Sequence, residues 1–199
     1  MASPTIRYSD ALLAVTREQG NSEAVDADLG ILRLLFRARS AGDVGAGDEA
    51  QELRLFLENP RVPREKKVEA IRSMLSVGGR SPEDTTMRFL TLILSKGRQG
   101  YLPAMVEDFH KKALADRGEA EGRLTTALEL DETELSSLQT ALSKELGKKV
   151  ILEVDVDSDL IGGFRALIGD SLFDASLKGQ IDQLGRRLKG VPLGKGSGD

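Results

Sequence analysis

Through residue 118 the apolar residues recur at intervals of three and four; from residue 119 onward they recur, for the first time along the chain, at intervals of two. Side chains three and four apart share a helix face, whereas side chains two apart share a strand face. A chain that changes period in this way cannot be all-helical or all-strand, and 199 residues are enough for two small domains. Charge divides at the same place: residues 1–118 carry 18 Lys+Arg and 17 Asp+Glu, a net of +1, and residues 119–199 carry 10 and 15, a net of −5. The expected architecture is α plus α/β. An N-terminal six-helix antiparallel bundle over 1–118 is followed by a small mixed α/β domain over 119–190 and a flexible tail over 191–199.

Local signals place the elements. The first helix is expected over Pro4 to Gln19, and the second from an Asn21-Ser22 cap to about Arg39. Ala41 to Asp48 reads as a Gly/Asp-rich loop. A third helix stops at Asn59-Pro60, because the residue before proline is pushed out of the α region. The fourth begins at Pro63 and ends at Gly78-Gly79, and the fifth opens at Ser81-Pro82-Glu83-Asp84. The sixth carries Leu102, Met105, Val106, Phe109 and Ala113 on one face. Beyond residue 118, Ala120, Gly122, Leu124, Thr126 and Leu128 share one strand face. Asp131 and Glu134 then open a helix that closes at Gly147. Val150 to Val156 alternates as a second strand, and two short strands are expected around Phe164 to Ile168 and Ser171 to Asp174. A last helix carries Leu177, Ile181, Leu184 and Leu188.

Composition closes several chemistries. With no Cys there is no disulfide, thiolate nucleophile or Cys-based metal cluster, and the chain reads as intracellular. One His rules out a multi-histidine centre. Six Phe, two Tyr and no Trp are too few for a base-stacking surface, and the overall acidity argues against a nucleic-acid footprint. No apolar run approaches the roughly 20 residues that span a bilayer. The start, MASPTIRYSDALL, resembles neither a signal peptide nor a transit peptide, so a membrane is expected to be reached only through partners.

Motifs for catalysis are equally sparse. Gly147-Lys148-Lys149 and Gly194-Lys195-Gly196 lack the spacing and the Ser/Thr of a phosphate loop. Asp155, Asp157 and Asp159 occupy calcium-loop positions, but Leu160 stands where the turn glycine belongs and Ala166 where the bidentate Glu belongs. His110 has no Ser/Asp constellation in sequence and is expected to be a structural, half-buried residue. No catalytic residue, cofactor or metal is expected.

What does stand out is amphipathicity with too many faces. At 100° per residue, Tyr8, Ala11, Leu12 and Val15 of the first helix fall within an arc of about 100°, while Ile6 and Leu13 lie almost opposite. On the fifth helix Phe89, Leu92 and Ile93 form one arc and Met87, Leu90 and Leu94 another. Two stripes fit either a helix central to its bundle or a helix with a second partner, an amphipathic helix seated in an apolar groove.

Several motifs carry a family resemblance. Phe56-Leu-Glu-Asn-Pro60, Gly97-Arg98 with Leu102, and Leu160-Ile-Gly-Gly163 followed by Ile168-Gly-Asp170, Asp174, Ser176 and Leu184 resemble the delta subunits of F-type ATP synthases. Their mitochondrial counterpart is the oligomycin-sensitivity-conferring protein. The resemblance runs in order over about residues 5–189, and the C-terminal block is its most specific part; the Ala41 to Asp48 loop and the tail inherit no role from it.

The resemblance implies a non-catalytic stator subunit, one copy per complex, peripheral on the cytoplasmic face of a bacterial cell membrane, or on the stromal or matrix side in an organelle. The N-terminal domain would bind the N-terminal helix of an alpha subunit, on Tyr8, Ala11, Leu12, Val15, Phe89 and Leu92. The C-terminal domain would hold the peripheral-stalk b subunits, and its acidity would favour basic segments of them. Gly162, Gly163, Gly169 and Asp170 read as a turn motif that specifies the fold, with Gly169 at a bend or bulge. The competing classes are a helical RNA-binding regulator, which needs a basic face, and a small enzyme, which needs a convergent catalytic set.

Overall fold

The structure, a computed structural model, describes residues 3–37, 46–76, 79–177, 179 and 181. The chain divides into two compact units, Met1–Asp116 and Arg117–Asp199.

In the first unit the described residues form α1 (Pro4–Gln19), α2 (Ser22–Arg37), α3 (Ala46–Glu58), α4 (Arg64–Leu75), α5 (Asp84–Ser95) and α6 (Leu102–Asp116), with a 3-10 turn at Gln99–Tyr101 before α6. Pro4 opens α1, where its fixed φ suits the helix and its missing N–H leaves no bond unmade. Gly20 closes α1 at a φ of 67°, and the Asn21 N–H bonds back to the Thr16 carbonyl at 3.1 Å. Leu29, Leu32, Leu57, Ile71, Leu90 and Phe109 are fully enclosed and form the centre of the apolar core. Burial of each such side chain contributes about 1.5–3 kcal/mol.

Three expected boundaries move. The helix read from Pro63 starts at Arg64, with Pro63 as its flanking N-cap residue. Helix α3 begins at Ala46, inside the segment read as a loop; residues 41–45 lie outside the described residues. Helix α5 begins at Asp84, with Glu83 rather than Ser81 as its N-cap residue, and its start is tied to α2. The carboxyl of Asp28, buried on α2, accepts the Glu83 N–H at 2.7 Å and the Thr86 hydroxyl at 2.9 Å.

Charged pairs join the helices side to side. Lys112 of α6 donates to Asp108 at 2.6 Å, to Asp10 of α1 at 2.5 Å and to the buried Ser9 hydroxyl at 3.1 Å. His110 sits at the α2–α6 contact with Nδ1 2.8 Å from the Asp26 carboxyl. For Asp108, desolvation pushes the carboxyl pKa up, but hydrogen bonds from Lys112 and Ser9 and the nearby lysine charges outweigh it, so the net direction is down. A carboxyl depressed in the folded state contributes stability above its unfolded pKa and loses it as pH falls through the folded one. Urea titrations from neutral to acid pH are therefore expected to show stability falling below the ordinary carboxylate range, and falling less in Asp108→Asn. Equal acid slopes for the two proteins would remove this network from the acid response.

The second unit is a βαβ unit extended by a hairpin. Strand β1 (Glu119–Thr126) leads through α7 (Glu132–Leu146) to β2 (Lys149–Val156), and β3 (Phe164–Ile168) and β4 (Ser171–Asp174) follow. The sheet order is β2-β1-β3-β4; β1 and β2 are parallel, with Ala120 opposite Val150, and the β1–β3 and β3–β4 pairs are antiparallel. A parallel pair needs a crossover, and α7 supplies it. The ends of α7 follow the local signals: Asp131 and Glu134 form a reciprocal capping box, and Gly147 closes the helix at a φ of 64°. Leu124, Ala166 and Ile168 pack beneath α7 with Leu142, Val150 and Leu152.

Here too the structure corrects expectations. Leu128 lies beyond β1 and is exposed, because the strand ends at Thr126, whose hydroxyl turns to bond the Leu128 carbonyl at 2.8 Å. Val154 and Val156 are exposed at the far end of β2, which is an edge strand with a neighbour on one side only. Gly169 is not a bulge. Ile168 pairs directly with Ser171, so Gly169 and the exposed Asp170 are the two central residues of a tight hairpin turn. Gly169 takes the positive φ, 57°, at the first of them. Leu184, Leu188 and the 191–199 tail lie outside the described residues.

Candidate partner-binding site

Side-chain bonds tie the end of α1 to the start of α5, and the start of α1 to the segment just past α5. At one end Asn21, just past α1, donates from Nδ2 to Glu83 at 3.2 Å and to Thr85 at 3.4 Å, and Thr85 bonds Gln19. At the other, Arg98, three residues past α5, donates to the Tyr8 hydroxyl at 3.0 Å, and its guanidinium carbon stands 5.2 Å from the Tyr8 ring centre. Hydrogen bond and cation–π contact together fix the ring, the latter worth about 0.5–1 kcal/mol at a partly exposed site.

Between these ties the six expected contact residues separate into two groups. Leu12 and Phe89 are buried in the core and are unavailable to a partner without unpacking it. Ala11 is exposed, Val15 and Leu92 are 41% and 44% exposed, and Tyr8 is half-buried. The double stripe has a different cause in each helix. On α5, Met87, Phe89, Leu90 and Ile93 are all buried, so that helix is apolar on most sides because it is central. On α1, Leu12 and Leu13 face the core with Ser9 and Thr16, and Tyr8, Ala11 and Val15 are left as apolar surface. A second exposed apolar residue of α1, Ile6, lies away from that strip, almost opposite by helical angle.

Arg98 was quoted in the sequence only as part of a motif; nothing local indicated that it would hold Tyr8, 90 positions away. Asp28 carries no sequence signal either, although its carboxyl ties the start of α5 to α2.

The glycines of the turn motif have structural duties. Gly163 has a φ of 79°, and a Cβ there would lie 2.2 Å from the Ala175 carbonyl oxygen. Gly162 is close to Leu177, and the segment pairs through Ala175 N–H to the Phe164 carbonyl at 2.9 Å and Leu177 N–H to the Gly162 carbonyl at 3.0 Å. Ser176, fully buried, accepts the Gly179 N–H at 3.0 Å. Its own hydroxyl and N–H donate to Asp174 at 2.6 and 3.0 Å, which, with Arg165 beside it, holds the Asp174 carboxyl below its ordinary pKa.

Among the described residues, no group of three or more His, Cys, Asp or Glu is placed to hold a metal ion, and no helix is long and apolar enough to cross a membrane. Asp155 belongs to β2, opposite Thr125, and the chain turns after it, with the Asp159 N–H bonded to the Asp157 carboxyl at 2.9 Å and the Leu160 N–H to the Asp157 carbonyl at 3.1 Å.

Comparison with known proteins gives this arrangement a family. The model of the ATP synthase delta (OSCP) subunit family matches residues 5–188. The ATP synthase subunit delta of Desulforudis audaxviator is 32% identical over 189 residues, covering 94% of this chain and 96% of that protein. That of Salinibacter ruber is 32% identical over 195 residues, covering 98% and 95%. A chain in the cryo-EM structure of the Toxoplasma gondii mitochondrial ATP synthase hexamer has the same fold, with a TM-score of 0.72 at 20% identity over 96% of this chain and all of that one. The RNA-binding reading finds no support in these matches. On the family match and on two relatives aligned over nearly their whole length, this chain belongs to the ATP synthase delta (OSCP) subunit family.

Proposed function

We propose that this chain works as a non-catalytic stator subunit of an F-type ATP synthase, holding the catalytic head to the peripheral stalk. Rotation of a central stalk exerts torque on the head, and the head must be held still if ion flow is to be coupled to ATP synthesis. An adaptor meets that need by binding firmly at two ends, and two compact units with different charge suit two different partners. We read the six helices of the first unit as one antiparallel bundle that takes the N-terminal helix of an alpha subunit. The second unit holds the b subunits, in one copy per complex, and the chain reaches the cytoplasmic face of the membrane only through them.

The observation that supports the head-binding site best is the exposed apolar surface of Ala11 and Val15 on α1 and of Leu92 on α5, with Tyr8 held by Arg98 at one of the two ties that join these helices' ends. Small side chains at Ala11 and Ala14, both exposed, let another helix approach closely, and Tyr8 is the large anchor. Truncating a central aromatic anchor typically weakens a helix-in-groove contact by roughly 2 kcal/mol or more. Tyr8→Ala is therefore expected to weaken binding of an alpha-subunit N-terminal peptide by about thirtyfold, with the circular dichroism of the chain unchanged. An unchanged affinity in calorimetric titration would move the site off α1.

A further inference from the structure

The charged side chains of α1 are Arg7, Asp10, Arg17 and Glu18, and they divide by what they meet. Asp10 and Arg17 are engaged with α6: Lys112 donates to Asp10 at 2.5 Å, and the Arg17 guanidinium donates twice to Asp116, at 2.5 and 3.0 Å. Arg7 and Glu18 are exposed, and their side chains have no hydrogen-bond or ion-pair partner among the described residues. At 100° per residue Arg7, Ala11, Ala14 and Glu18 fall within an arc of about 60°, and all four are exposed. The two unpaired charges therefore end one ridge whose middle is small and apolar. Positions 7 and 18 are separated by about 16 Å along the axis, or roughly three helical turns.

The same polarity continues on α5. Lys96, the residue that closes α5, is exposed and likewise without a side-chain partner among the described residues. It lies one helical turn past Leu92 and two residues before the Arg98 that holds Tyr8. At the other end of α5 stands Glu83, whose carboxyl accepts from Asn21 just past α1. Asp84 and Arg88 pair with each other at 2.6 Å and cancel. Along both helices, then, the exposed apolar residues are flanked by positive charge on the side of the Arg98–Tyr8 tie and by negative charge on the side of the Asn21–Glu83 tie. An exposed charge alone needs no partner, but opposite charges at opposite ends of an apolar surface give that surface a direction.

We propose that Arg7, Lys96 and Glu18 determine the specificity and the direction of head binding: they select an amphipathic helix of about three turns, with a carboxylate in its first turn and a Lys or Arg in its last, and seat it parallel to α1. The proposal rests on the reading that α1 and α5 bind the alpha-subunit N-terminal helix; it adds what that helix must carry and which way it runs. Apolar burial supplies affinity, whereas the reversed pose sets a basic last turn against Arg7 and Lys96 and an acidic first turn against Glu18, and like charges reject it. The half charge at a helix end opposes this choice, but it is smaller than the full charge of a carboxylate, and a carboxylate in the first turn offsets it.

The test uses the full chain, a synthetic peptide of the alpha-subunit N-terminal segment, and the same peptide carrying a nitroxide at one end or the other. The N-terminal nitroxide is expected to broaden the amide signals of Arg7 and Tyr8, and the C-terminal one those of Glu18 and Gln19. Arg7→Glu and Glu18→Lys are each expected to weaken binding about threefold, as for charges at the rim of an interface, and Arg7→Lys to bind normally. Added salt is expected to weaken binding to the unmodified chain and to act less on the double variant Arg7→Gln, Glu18→Gln. Lys144→Glu, at an exposed position of the second unit, changes net charge as much as Arg7→Glu does and is the control expected to bind normally.

Broadening in the reversed order overturns the proposal and leaves the head-binding reading standing. Charge variants that bind as tightly as the unmodified chain, or an affinity indifferent to salt, do the same. A loss in Lys144→Glu equal to that in Arg7→Glu would assign the effect to net charge, and the three residues would then select nothing. Absence of any binding between the unmodified chain and the peptide overturns both the proposal and the reading beneath it.

Discussion

Gly163→Ala is expected to destabilise the second unit by on the order of 3 kcal/mol, from two causes that can be measured separately. The first is the φ of 79°, which side-chain-bearing residues rarely adopt. The second is contact: the added Cβ would stand 2.2 Å from the Ala175 carbonyl oxygen and 3.0 Å from the Ser176 Cα. Both are backbone atoms, held by the Ala175 bond to Phe164 and the Ser176 bonds to Asp174, so neither can swing aside as the tip of a long side chain would. Gly147 provides the comparison. Its φ is 64° and an added Cβ would meet nothing within 4 Å, so Gly147→Ala carries the backbone penalty alone, about 1 kcal/mol. Urea unfolding of both variants, with amide exchange read at Ala175 and Leu177, should show the larger loss and the lost protection in Gly163→Ala only. Equal effects would mean that the 162–164 segment can move away from 175–177, and the glycine pair would then be a turn requirement without a packing one.

The contrast between these two glycines marks which parts of the fold were legible before the structure. Gly147 ends a helix that Asp131 and Glu134 begin, and all three act within one turn of their own positions, so sequence pattern located them. Pro4 at the start of α1 and Asn59-Pro60 after α3 are local in the same sense. The strand alternation around Leu124 and Leu152 was readable because one face of the sheet packs beneath α7. Gly122 was read only as a residue on a strand face. Its need for glycine appears once β3 is in place, since a Cβ there would lie 2.6 Å from Ile168 Cγ1 and 2.9 Å from the Leu167 carbonyl oxygen.

The expected contact surface on α1 and α5 shows the same limit from the other side. Periodicity identified two helices with apolar residues on more than one face, but periodicity reports only that a residue is apolar and where it points around its own axis. Whether Phe89 meets the core or a partner depends on which helices surround α5, and they surround it closely enough to bury Phe89 and leave Leu92 outside. Leu12 is decided in the same way: α6 packs along α1, with Lys112 meeting Ser9, and Leu12 is buried. The Arg98–Tyr8 pair joins residues 90 apart and has no signature in either segment. Of the expected contact set, Tyr8, Ala11, Val15 and Leu92 are the residues with surface left to offer.

The buried carboxyl of Asp28 gives the second large effect, and it bears on the proposed head-binding surface. Ordinarily the residue flanking a helix start caps it, yet Glu83 makes no side-chain capping bond. The acceptor comes from α2, 55 residues earlier, and one oxygen of Asp28 takes both the Glu83 N–H and the hydroxyl of the buried Thr86. Its other oxygen lies 3.7 Å from the exposed guanidinium of Arg80. Removing the side chain leaves the Thr86 hydroxyl buried without that partner and the positive end of α5 uncompensated. Asp28→Ala is therefore expected to lose about 3 kcal/mol in urea unfolding, with early loss of amide protection at Glu83 and Met87. Asp28→Asn can keep both bonds by turning its carbonyl oxygen toward them, and loses only the charge facing the helix end and Arg80; about 1 kcal/mol is expected. Since α5 carries Leu92 and leads into Arg98, loosening its start should also lower affinity for the alpha-subunit peptide in Asp28→Ala, while Asp28→Asn binds almost normally. Were the two substitutions equally mild, α5 would be held by apolar packing alone, and the position of Leu92 would owe nothing to this bond from another helix.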